Sequence, residues 1–137
     1  MRFGFLLRLV LAVVLAFGLS ACTTCANVPI QIADAPPGNF RAIAFERVCG
    51  NQSKPGLQVS LFDSADPPQP EAPGNVFISL TGSYVNLRWT EDSRLLVVSD
   101  APAAKIVKQQ PTYAGIRINY RYPTFQEFQE NQEREST

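Results

Sequence analysis

Val85-Asn86-Leu87-Arg88-Trp89-Thr90-Glu91-Asp92-Ser93-Arg94-Leu95-Leu96-Val97-Val98-Ser99 is the stretch on which the fold turns. Val85, Leu87 and Trp89 alternate with Asn86, Arg88 and Thr90, the period of a strand with one apolar face and one wet face. Glu91 to Arg94 is polar and suited to a turn. Leu95 to Val98 is then an unbroken apolar run, which fits a central strand covered on both faces. A hairpin whose second strand runs through the middle of a core predicts an all-β fold.

The same signals recur on both sides. Towards the C-terminus, Asp100-Ala101-Pro102-Ala103 reads as a turn, Lys105 to Lys108 as a short strand and Gln109-Gln110-Pro111 as a break. Ile116, Ile118, Tyr120 and Tyr122 alternate with Arg117, Asn119 and Arg121, so one long strand has a wet face carrying both arginines. Arg117 and Arg121 are either solvated surface charges or a contact for an anionic glycan or protein partner. Thr124 and Glu127 have the spacing of a capping box, which predicts a short helix over roughly 125–133 with Phe125 and Phe128 docked on the sheet.

Towards the N-terminus, Val76, Ile78 and Leu80 alternate with Phe77, Ser79 and Thr81, and Leu57, Val59 and Leu61 alternate with Gln58 and Ser60 as a half-buried strand. Ile43 and Phe45 share a side with Arg47 and Cys49, and the turn formers of 50–56 follow. Between these strands, Asp63 to Gly74 holds prolines at 67, 68, 70 and 73 and cannot join a ladder. Pro67 and Pro70 have the bare spacing of a polyproline-II ligand, so this loop is either solvated or partner-binding. The sum is a meander of six or seven antiparallel strands forming a small sandwich or open barrel over residues 40–137, with a C-terminal helix.

Residues 22–39 are small, polar and proline-rich without sustained period, and read as a tether in which Val28-Pro29-Ile30 is the one apolar patch able to pack as an edge strand. Before them, Arg2 and Arg8 precede the apolar run Leu9 to Leu19 and the small residues Ser20 and Ala21, a signal-peptide layout over 1–21. The run is shorter than the roughly 20 apolar residues of a membrane span. Leu19-Ser20-Ala21-Cys22 resembles the lipobox of bacterial lipoproteins. The resemblance implies that the Cys22 thiol receives a diacylglycerol, that the chain is cut just before it, and that Cys22 tethers the mature protein to the lipid bilayer. In that family an aspartate after the cysteine retains the protein at the inner membrane; Thr23 departs from it, which implies the periplasmic face of the outer membrane.

Trp89 to Ser99 also resembles the hairpin of β-propeller repeats in periplasmic TolB-like proteins. It occurs once, and a propeller needs several blades at a fixed period, so it is read as an ordinary hairpin of the same local chemistry.

Loss of residues 1–21 from the 137 leaves 116, one domain's worth, with ten basic and twelve acidic side chains. A net charge near −2 offers no basic excess for nucleic acid. No histidine is present, which removes the commonest general base and the commonest ligand of catalytic zinc. Serine with Lys54, Lys105 or Lys108 is the remaining nucleophilic pairing, and no spacing singles one out. No phosphate loop, metal-spaced cysteine pair or cofactor motif is found. Cys25 and Cys49 remain after lipidation and are expected to bridge in an oxidising compartment; the other reading is a mobile Cys25 and a buried, hydrophobe-like Cys49. The expected function is that of a noncatalytic envelope lipoprotein that binds a protein or glycan partner or supports an envelope assembly. The alternative is an inhibitor or immunity lipoprotein against a toxin or cell-wall lytic enzyme, with loops 50–56 and 63–74 as the contact; a hydrolase of envelope polymers is a third, weaker reading.

Overall fold

The structure, a computed structural model, describes residues 24–50 and 54–137. The expected signal peptide over residues 1–21, Cys22 and residues 51–53 of the 50–56 turn lie outside the described residues. The described residues form an all-β sandwich with one C-terminal helix, and no described helix is long and apolar enough to cross a membrane. One sheet has the order β1 (Cys25–Asp34), β2 (Phe40–Cys49), β3 (Gly56–Asp63), β4 (Phe77–Ser79), β7 (Ile106–Gln109). The other has the order β5 (Val85–Trp89), β6 (Leu95–Ser99), β9 (Ile116–Arg121), β8 (Thr112–Tyr113).

The β5–β6 hairpin forms as its alternation predicts. Thr90 closes the turn: its amide donates to Arg94 O (2.9 Å) and its hydroxyl accepts from Arg94 N (3.1 Å), while Ser93 takes a left-handed φ of 59°. β6 is an inner strand, and Leu95, Val97 and Val98 are fully buried. Register puts Val98 in one row with Asn86 and Arg121 on the outer face, where the helix α1 (Phe125–Glu135) begins. That is how β6 is covered on both sides.

The meander is corrected by the pairing of β6 with β9, which is parallel. β7 crosses to the other sheet to pair with β4 before the chain returns through β8. The inner faces meet in a core of Leu57, Val59, Leu61 and Phe77 against Leu87, Leu95, Val97 and Ile118, with Tyr120 stacked on Phe77 at 5.7 Å. Burial pushes the Tyr120 phenol up, and its hydroxyl donates to Gln110 O at 2.7 Å.

Three further expectations change. Residues 25–34 of the expected tether are β1, ten residues long and antiparallel to β2, so the folded body begins at Cys25 and not at residue 40. A bulge between Pro29 and Gln31 shifts the register, and with it the alternation that would have marked the strand in the sequence. On β2 the side turned to the core is Ala42 and Ala44, both 0% exposed, because small residues let the sheets approach; Ile43 and Phe45 face outward. On β4 the buried side chains are Phe77 and Ser79, and Leu80 is exposed.

In α1 the capping box is present as predicted, with Thr124 accepting from Glu127 N (3.3 Å) and Glu127 accepting from Thr124 N (2.8 Å). Phe128 docks between Tyr84 and Tyr122, at 5.7 and 5.9 Å between ring centroids. Phe125 does not dock, being 76% exposed.

Candidate functional site: an apolar groove under a proline roof

The outward face of the β1–β2–β3 sheet is built by alternation. Register aligns Pro29 with Phe45 and Asn27 with Arg47, and the same side of β3 carries Gln58, Ser60 and Phe62. An amphipathic strand would leave that face wet, yet Gln58 and Ser60 are buried and Phe45 is only 3% exposed. The half-buried β3 of the sequence reading is therefore buried on both sides through Leu61.

The cover is the loop 64–76. Ser64 donates to Asn39 O (2.9 Å) and its hydroxyl to Gly38 O (3.1 Å) at one end. At the other, Arg47 donates to Glu71 O, Asn27 donates to Ala72 O (2.7 Å), and Gly74 N donates to Gln58 Oε1 (2.7 Å). Asn75 then pairs with both backbone groups of Leu61, at 2.8 and 2.7 Å. A Cβ on Gly74 would lie 2.6 Å from Phe77 O and 2.9 Å from Val59 O, so only glycine allows the loop to close this tightly. Between roof and sheet runs a groove of about 280 Å³, walled by Pro29, Ile43, Phe45 and Phe62 below and Pro67 and Pro70 above. Asn27, Ser60 and Gln69 are its polar members, and among the described residues no charged side chain lines it.

The disulfide lies at the Asn27 end of this face. Cys25 and Cys49 are register partners and are bridged, S–S 2.09 Å. Two residues along each strand, Arg47 donates to Asn27 Oδ1 (3.1 Å), which continues the clamp from the bridge to the roof.

Pro67 and Pro70 thus come together with residues no motif announced: Asn27, Pro29, Ile43, Phe45 and Phe62. The signal available in the sequence was the pairing of bulky Ile43, Phe45 and Phe62 with a proline loop able to cover them.

The two arginines are separated. Arg121 makes two contacts to the Glu127 carboxylate (2.9 and 2.8 Å), and Arg88 adds a third at 3.1 Å. Held mainly by Arg121 and then by the Thr124 amide, the Glu127 carboxyl is lowered to about 2. Arg121 therefore fastens the helix. Arg117 lies at the other end of β9 in an open cleft with Asp92 and Arg94, which pair at 2.7 Å. Lys108, one of the lysines weighed for nucleophilic chemistry, donates to Gly74 O at 3.4 Å. Among the described residues no three His, Cys, Asp or Glu side chains cluster to hold a metal.

Comparison with known proteins finds no matching family, no matching curated protein and no matching solved structure.

Proposed function

We propose that this protein is a noncatalytic, lipid-anchored envelope protein, held to the outer membrane through acylated Cys22, that binds a protein or glycan partner through the proline roof. The supporting observation is the pinning of that roof. Residues 63–71 are exposed throughout, yet hydrogen bonds hold the segment at both ends, so Pro67 and Pro70 are displayed in one conformation. A preorganised loop loses little freedom on association, which favours affinity. The lipobox resemblance supplies the address and the bridged Cys25–Cys49 pair fits an oxidising compartment.

The same pinned loop suits the second reading, an inhibitor or immunity lipoprotein, because such proteins insert rigid loops into a target. The identity of the captured partner separates the two. A photocrosslinking amino acid placed at Pro67 or Pro70 in growing cells should give one discrete adduct, absent from a variant lacking residues 65–72. Capture that survives the deletion, or that occurs equally from position 117, refutes the roof as the contact. Labelled palmitate should appear on Cys22, and its absence refutes the anchor.

A further inference from the structure

We propose that the groove beneath the roof is an acyl-chain site, and that its occupant is one of the fatty chains carried by Cys22 of the same molecule. The inference rests on the lipid-anchor reading and adds to it where one chain goes. The walls are Pro29, Ile43, Phe45, Phe62, Pro67 and Pro70 without a charge among them, the chemistry of a hydrocarbon and not of a glycan or an ion. At about 280 Å³ the groove falls just under the roughly 300 to 1,000 Å³ of ordinary ligand pockets, room for part of one slender chain and for nothing bulkier.

Connectivity names the source. Cys22 stands three residues before Cys25, a span of at most about 10 Å. From Cys25 the strand leads to the groove along one face, since Cys25, Asn27 and Pro29 are aligned with Cys49, Arg47 and Phe45. Pro29 is roughly 13 Å along β1 from Cys25 at the rise of an antiparallel strand. A chain that spans one leaflet is about 15 Å long, half the hydrocarbon thickness, which exceeds the roughly 13 Å from Cys25 to Pro29, so a fatty chain that leaves beside Cys25 reaches into the groove.

The test feeds growing cells a diazirine-bearing fatty acid, irradiates them and maps the crosslinks on the full mature chain. Mixed isotope-labelled and unlabelled protein distinguishes links within one molecule from links between two. The expected result is an intramolecular link from the Cys22 lipid to peptides carrying Phe45, Phe62 or Pro67 to Pro70, reduced about tenfold when Ala72→Trp narrows the groove, which corresponds to about 1.4 kcal/mol of lost affinity. Links only to phospholipid, or to the groove of another molecule, overturn the inference. The mass of the N-terminal peptide separates the two levels: a peptide without lipid overturns the anchor reading, whereas a lipidated peptide with no groove link overturns this inference alone.

Discussion

Gln31 pairs with Leu87 as another strand would. Its Nε2 donates to Leu87 O (3.0 Å) and its Oε1 accepts from Leu87 N (2.8 Å), so one side chain carries the ladder across from β1 to β5. Trp89 Nε1 donates to Ala33 O (3.0 Å) beside it. Gln31→Ala leaves both backbone groups of Leu87 without partners, and an unmade pair of this kind costs about 1–3 kcal/mol. Urea denaturation should show a loss in that range. A variant as stable as the parent would mean that water replaces the amide without cost.

The Cys25–Cys49 bridge closes a separation of 24 residues, worth roughly 3 kcal/mol in the chain-entropy account. Reduction, or Cys25→Ser with Cys49→Ser, should lower stability by about that amount, read by denaturation with and without reductant. Alkylation before reduction should label neither thiol.

Glu127 makes the helix attachment acid-sensitive. Its carboxyl is lowered from 4.5 to about 2 in the folded protein, chiefly by Arg121. A folded value below the unfolded one means that the ionised group stabilises above pH 4.5, and that this contribution is lost as pH falls towards 2. Carboxyl NMR should place the Glu127 midpoint near 2, and signals of Tyr84 and Phe128 should shift across the same window. Glu127→Gln should remove the acid dependence; a midpoint at or above 4.5 would contradict the ion pairs.

The two helix phenylalanines should behave differently. Phe128 lies against Tyr84 and Tyr122, and aromatic pairs add about 0.5–1.5 kcal/mol each beyond their burial. Phe128→Ala should destabilise by about 1–3 kcal/mol, whereas Phe125→Ala, at an exposed position, should stay within about 0.5 kcal/mol. Equal losses would show that the helix rolls to dock both rings.

Local pattern carried most of the strands, the β5–β6 hairpin and the helix cap, because alternation, turn residues and capping chemistry act over a few neighbours, whereas the pairing of Cys25 with Cys49 came from their being the two thiols left once Cys22 is assigned to lipid. It failed at β1, where the bulge at Ile30 breaks the period on which a strand is recognised, and at β2, where the bulky residues face away from the core. It also found Pro67 and Pro70 without their setting. The groove needs Phe45 and Phe62 from two strands to meet a loop that follows them, and Arg121 needs a carboxylate six residues on to become a fastening and not a free charge.

The sequence by itself determined that the chain is β-rich, where its strands turn and how its helix starts. Only the tertiary structure decided which face of each strand is the core, that β9 lies parallel to β6, and that the outer face of one sheet is roofed. The reason is physical: period states that a strand has two faces, but which face is buried depends on what packs there, and those partners come from distant parts of the chain.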